Sequence, residues 1–252
     1  MDKIGLIPSR YKSSRFPGKP LELIKGIPMF VHVYHRAKLS KLDKVFVCTD
    51  DKRIYNEAKK YNIDALMTSV EHNNGTERCY EASQSLNLKG KDVILDIQGD
   101  EPLINPLLID ETLENFDPNE NDICFPFLKM EQINDLGSVK IVTNSSNQVI
   151  YMSRSDIPNA FRKSVILKKQ IGLIAFSGNS LKIFSETKES YLENIEGIEL
   201  LRTFDIGLKV ETFETEFTSN AVDYPKDIEI VNSLMETDTI FPIYRDKIEK
   251  IS

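Results

Sequence analysis

Residues Ile7 to Leu21, reading IPSRYKSSRFPGKPL, follow a short apolar run and concentrate two arginines, two lysines and three serines in a chain of net charge −7. Ser9, Arg10, Ser13, Ser14, Arg15 and Lys19 together offer hydroxyls, guanidinium forks and an ammonium, a donor set suited to several phosphate groups at once. The prolines and glycine between them favour a shaped, anion-holding turn over a solvated tail. Neither the GxxxxGK[ST] spacing of a P-loop nor the GxGxxG of a dinucleotide fold is present, so ATPase and dehydrogenase readings lose ground. A second point of interest is Gln98-Gly99-Asp100, where the apolar run Val93 to Ile97 stops abruptly and a carboxylate follows. On its own, an aspartate there is equally a turn former.

Such groups need a frame to hold them. Short apolar runs alternate with helical patterns through the first half: strands at Lys3 to Pro8, Val45 to Thr49, Ala65 to Thr68 and Val93 to Ile97, and helices at Pro28 to Leu39, Asp51 to Tyr61 and Thr76 to Leu86. That rhythm predicts an α/β fold with one doubly wound, mostly parallel sheet, whose ligands bind outside the carboxyl ends of the strands. The opening loop leaves the first strand at that edge. Farther on, strands are expected at Ile123 to Lys129, Val139 to Thr143, Val149 to Arg154, Gly172 to Phe176 and Lys209 to Phe213, the second and third of these forming a hairpin. Helices are expected at Leu192 to Thr203 and Lys226 to Met235. The whole chain, 1–252, therefore reads as one domain with an antiparallel excursion at about 139–187 that suits oligomerisation.

Composition narrows the partners. The acidic balance argues against a general nucleic-acid or anionic-membrane binder and makes the basic loop the informative exception. No apolar run approaches a spanning helix and no signal peptide is recognisable, which leads to the expectation of a cytoplasmic protein. Cys48, Cys79 and Cys124 lack CxxC spacing and read as buried hydrophobes, while His32 and His35 fall inside an amphipathic helix and read as structural.

Six motifs recur in order: IPSRYKSSRFPGKPL, GTER from Gly75, IQGDEP from Ile97, Val139-Lys140, YMSRSDIP from Tyr151 and VDYPKD from Val222. In these the chain resembles the CMP-Kdo synthetase family, the CTP:3-deoxy-D-manno-octulosonate cytidylyltransferases, over about residues 3 to 235. The resemblance implies a nucleotide-diphospho-sugar transferase-like sheet and transfer of CMP from CTP to a sugar acid with release of pyrophosphate. It implies Mg²⁺ as cofactor, held by Asp100 and Asp223, and a homodimer. Pro8, Ser9, Arg10, Ser13, Ser14, Arg15, Lys19, Gly75, Arg78 and Gln98 become the nucleotide contacts, with Arg78 near the cytosine. Lys19, Arg10, Arg15 and Asp100 become the catalytic set, with Lys19 in particular stabilising charge on the departing pyrophosphate. No histidine falls in the family's catalytic motifs, and no general base is obvious.

On the acceptor side, Gln98, Lys140, Arg154, Glu199 and Arg202 remain as polar candidates. The family's His-x-Gly-x-Tyr-x-Tyr-like segment is replaced by KQIGLIAF, which puts Gln170, Ile174 and Phe176 where the histidine and tyrosines stand, and Leu200 takes the place of a glutamine. Losing hydrogen-bonding groups from a sugar site costs affinity in steps of about 1–3 kcal/mol. The expectation is an enzyme that uses CTP on Kdo or on a modified ulosonic acid. A cytidylyltransferase for a nonulosonic or non-sugar acid such as a phosphonate stays open as the alternative. A nucleotide-sugar glycosyltransferase would carry a DxD-like metal motif, and an inactive nucleotide-binding protein would have lost Asp100, Asp223 or Lys19.

Overall fold

Val93–Ile97 is buried at every position, as a strand covered by helices on both faces must be. The computed structural model describes residues 1–13, 16–131, 134–218 and 220–248. In chain order, β1 (Lys3–Pro8) precedes the short pair β2 (Leu23–Ile24) and β3 (Ile27–Pro28), then α1 (Met29–Ala37), β4 (Lys44–Thr49), α2 (Lys52–Lys60), β5 (Ala65–Met67), α3 (Gly75–Ser85) and β6 (Val93–Ile97). The remainder runs α4 (Pro106–Asn115), β7 (Ile123–Met130), β8 (Lys140–Thr143), β9 (Val149–Ser153), β10 (Leu167–Gln170), β11 (Leu173–Ser177) and α5 (Gly178–Glu186). It ends with α6 (Tyr191–Glu196), α7 (Arg202–Asp205), β12 (Val210–Glu214), α8 (Asp227–Leu234) and α9 (Phe241–Ile248).

Among the described residues ten of these strands form one sheet in the order β5-β4-β1-β6-β11-β7-β10-β8-β9, with β12 also beside β7, and β2 and β3 pair separately. β5, β4, β1 and β6 pair in parallel, and β12 is parallel to β7. β11 enters antiparallel between β6 and β7, and the β8–β9 hairpin joins through β10. The α/β architecture and its antiparallel excursion are those expected. Register matters most at one edge: Pro8 lies opposite Cys48 and Leu6 opposite Asp96, so the loops after β1, β4 and β6 leave the sheet side by side.

Alternation along each strand divides the core between the faces. Ile7, Val47, Leu95 and Ile97 pack on one side with Phe30, Val33 and Ala37 of α1; Leu6, Cys48 and Ile94 pack on the other with Cys79 of α3 and Leu181 of α5. All three cysteines are buried and unpaired. His32 is buried between the Tyr244 hydroxyl and the Ile24 carbonyl, each at 2.8 Å, and burial lowers the pKa of both His32 and His35 to about 4. Both histidines are structural. No helix of the described residues is long and apolar enough to cross a membrane.

The expected helix from Leu192 to Thr203 is broken. α6 ends at Gly197, whose φ of 62° takes the left-handed turn that closes a helix, and a tight turn at Glu199–Leu201 separates it from α7. Ile195 therefore points outward, although it shares an apolar spacing with Leu192, Ile198 and Leu201. α4, β10, α5 and α9 were not expected. α4 carries a signal in Asn105, whose side chain accepts from Leu107 N at 2.9 Å, with proline at the first helical position.

Arg202 is the largest charge sealed behind this broken segment. Its guanidinium meets both Glu193 carboxylate oxygens, at 2.8 and 2.7 Å, and donates to the carbonyls of Phe184 and Thr187. Removing one partner of a buried pair leaves the other without compensation, at a cost of about 3–5 kcal/mol. Arg202→Met should lose stability of that order in urea unfolding, and adding Glu193→Leu should recover much of it. If Arg202→Met unfolds at the wild-type urea concentration, this ion pair does not hold the segment.

Candidate active site

The edge where β1, β4 and β6 end opens into two adjoining clefts. The smaller, of about 220 Å³, is lined by Pro8, Ser9, Arg10, Ser13 and Lys19 from the first loop, by Gly75 and Arg78 of α3, and by Gln98 to Asp100. The N-terminus of α3 lies at its wall, capped by Asn74, which accepts from Glu77 N at 2.8 Å. Free amide N–H groups at such an end favour an anion. The larger cleft, of about 630 Å³, shares Gln98, Asp100 and Glu199 with the smaller and adds Arg154, Gln170, Ile174, Leu200 and Asp223.

Close backbone approach makes the junction between them. A Cβ on Gly99 would stand 2.6 Å from the Pro8 carbonyl oxygen and 2.9 Å from Ser9 Oγ. Only a glycine lets the turn after β6 lie against the loop after β1. Lys19 then ties three segments together, its ammonium donating to Asp100 Oδ2 at 2.6 Å and to the Val222 carbonyl at 2.7 Å. Val222 N in turn donates to the Asp100 carbonyl at 2.9 Å, which brings Asp223 to the cleft that Asp100 lines. Arg10 lies at the exposed rim, donating to the Asn73 carbonyl at 3.1 Å.

Two carboxyl groups resist ionisation here, Asp96 beneath the junction and Glu199 at it. Asp96 of β6 is fully buried, and desolvation raises its pKa to about 6 against the opposing effect of bonds from Thr76 and Cys79. Glu199 is raised to about 7, chiefly by desolvation and then by Asp96. The Thr76 hydroxyl lies 3.1 Å from Asp96 Oδ2 and 3.0 Å from Glu199 Oε2, and Gln98 Nε2 donates to Asp96 Oδ1 at 3.2 Å.

Several expected contacts are corrected by their surroundings. Arg78 touches the cleft wall but is 2% exposed, and its guanidinium donates to Thr68 Oγ1, the Ser69 carbonyl and Asp50. These contacts brace the wall of the smaller cleft, which Arg78 also lines. Lys140 is sealed off, with its ammonium on the carbonyls of Asp135, Ser138 and Arg154, and it does not line either cleft. Arg202 is likewise spent on Glu193, and Phe176 is fully buried in the core. Arg154 lines the larger cleft, yet its guanidinium donates to the carbonyls of Leu136, Gly137, Glu196 and Gly197. Ser14 and Arg15 lie outside the described residues. Thr76 and Asp96 were missed; an aspartate within the apolar run VILDI was the signal.

Residues 4–213 match the family described as Cytidylyltransferase. The chain belongs to that family. As a cytidylyltransferase it is a CTP-dependent nucleotidyltransferase. It is 38% identical to the 3-deoxy-manno-octulosonate cytidylyltransferase of Thermodesulfovibrio yellowstonii, over 94% of this chain and 99% of that one. It is 36% identical to the 8-amino-3,8-dideoxy-manno-octulosonate cytidylyltransferase of Shewanella halifaxensis, over 92% and 98%. A solved CMP:2-keto-3-deoxy-manno-octonic acid synthetase complexed with CTP superposes with a TM-score of 0.88 at 32% identity, covering 94% of this chain and 99% of that one.

The cytidylyltransferase junction depends on the missing Cβ at position 99. Gly99→Ala should push the first loop off the turn after β6 and weaken CTP binding at least tenfold in calorimetry, with a smaller loss of melting temperature. Unchanged CTP affinity would mean that the loop tolerates the displacement.

Proposed function

We propose that this cytidylyltransferase transfers CMP from CTP to a hydroxyl of a 3-deoxy-octulosonate. The observation that carries the reading is the pair of clefts meeting at Gln98, Asp100 and Glu199: a basic one with a helix N-terminus for a triphosphate, and a roomier one for a second substrate. The names of the related enzymes support the acceptor class. The acceptor oxygen attacks the α-phosphorus, its proton leaves, and the bond to pyrophosphate breaks. Lys19 stands at the boundary of the two clefts, where an ammonium can neutralise the departing pyrophosphate, and Arg10 supplies charge at the rim. An 8-amino octulosonate is the second reading. Asp135, Asp223 and Asp227 line the larger cleft beside Glu199, an acidic wall that suits an ammonium substituent.

Asp100 and Asp223 fit a divalent cation such as Mg²⁺, since both are hard oxygen donors on one cleft. Among the described residues, no three His, Cys, Asp or Glu side chains converge as a metal site by themselves. The ion would draw its other ligands from phosphate oxygens and water, which is the usual habit of Mg²⁺. When bound it supplies positive charge that offsets the phosphates and favours loss of the acceptor proton. The proposal extends to a homodimer through the antiparallel excursion, supported by exposed Ile150, Phe161 and Ile166 there, and a solution mass of one chain would reject it.

Pyrophosphate release from CTP and Mg²⁺ should appear with 3-deoxy-octulosonate or its 8-amino form, and silence with both would reject the acceptor class. Asp100→Asn and Asp223→Asn should each lower turnover by orders of magnitude while the melting temperature holds, and near-normal turnover in either would remove that carboxylate from the metal site. CTP at one hundred times its Kd should stabilise the fold by about 2.7 kcal/mol. ATP at the same concentration should do markedly less, and equal stabilisation would contradict a pyrimidine site.

A further inference from the structure

Three oxygens form a chain under the cleft junction: Asp96 Oδ2, Thr76 Oγ1 and Glu199 Oε2, with successive separations of 3.1 and 3.0 Å. A threonine hydroxyl has one proton and can donate it only once. If both carboxylates were ionised, one of the two short contacts would set lone pairs against lone pairs. A second proton on one carboxyl group turns both contacts into hydrogen bonds. Asp96 is fixed further by Gln98, which donates an amide N–H to Asp96 Oδ1 and itself lines the cleft.

We propose that Asp96 is a positioning residue for the acceptor: through Thr76 it shares one proton with Glu199, so that the cleft floor carries a single negative charge when an anionic sugar acid binds, and it orients Gln98 in that cleft. The proposal rests on the reading that the second substrate is an octulosonate. It gives a use to a buried carboxylate that nucleotide and metal binding leave idle.

The neighbouring groups leave this trio as the site that changes charge. Around Asp96 stand Cys79 of α3 and Cys48 of β4, whose thiols burial holds protonated, with the Cys48 pKa raised to about 12 and that of Cys79 raised as well; Asp100 acts on it from beyond β6. Around Glu199 stand Glu193 and Arg202, which are paired with each other, and Asp96 itself. Both carboxyl pKa values are raised, so protonation persists above the ordinary carboxylate range and is lost as pH climbs through about 6 to 7. Above that range the floor carries two negative charges and repels an anion.

Two measurements test this on the intact enzyme and on Asp96→Asn. The first needs no substrate. An infrared pH titration of the wild type should retain a protonated-carboxyl band at pH 6 that disappears by about pH 8. Asp96→Asn should show a clearly weaker band at pH 6, because the asparagine N–H replaces the shared proton in the chain and removes the neighbouring charge that helps keep Glu199 protonated. Absence of the band in the wild type, or its persistence undiminished in the variant, would overturn the proposal. The second separates KM from kcat. Wild-type KM for 3-deoxy-octulosonate should rise about fivefold to tenfold between pH 6 and 8.5. In Asp96→Asn the acceptor KM should rise distinctly less across that range, and a rise parallel to the wild type would refute the shared proton. Should no octulosonate be turned over at all, the proposed acceptor fails, and the infrared titration still decides the proton.

Discussion

The ammonium of Lys19 is the joint on which the site depends. It comes from the loop after the first strand, binds the carboxylate that follows β6 and reaches the backbone just before Asp223. Three segments more than eighty residues apart in sequence meet at one cation. An amine held 2.6 Å from a carboxylate in a half-buried cleft is held in place by charge as well as by hydrogen bonding. The same cation that fastens these segments is the one proposed to neutralise a departing pyrophosphate.

Other cations in this protein have a different fate. Arg78, Lys140 and Arg202 are nearly inaccessible, and each meets carbonyl oxygens or carboxylates that satisfy its donors. Burying a charge without such partners would cost several kcal/mol, so the surrounding loops are shaped to supply them. They act as internal ties: Arg78 holds Thr68 and Asp50 beside α3, Lys140 gathers the turn at Asp135 to Ser138 against Arg154, and Arg202 closes the segment between α5 and α7. The walls of both clefts stand on these ties.

Much of the site was legible because its donors are contiguous. Pro8, Ser9, Arg10, Ser13 and Lys19 occupy a single loop, and a loop after the first strand of a parallel sheet has one place to go. Asp100 was legible for the same reason, since it follows a run of buried residues that could only be a central strand. The acceptor side is assembled from distant pieces whose orientation no local pattern dictates. Ile174 and Phe176 lie two apart on β11, and Ile174 lines the cleft while Phe176 fills the core. Arg154 and Arg202 look equivalent in composition, yet one edges the cleft and the other is sealed beneath it. The apolar stripe from Leu192 to Leu201 suggested one helix, because periodicity does not register a single left-handed glycine at 197.

Sequence by itself determined the alternating α/β order, the basic loop, the carboxylate at the end of β6 and the family to which these belong, because each is written in neighbouring residues and their periods. Tertiary structure alone decided which charges face solvent and substrate and which are consumed inside. It also decided that Thr76 should stand between Asp96 and Glu199, residues more than a hundred positions apart. Strand order and loop packing set that meeting, and a proton shared across it follows from distances of about 3 Å that no spacing in the chain encodes.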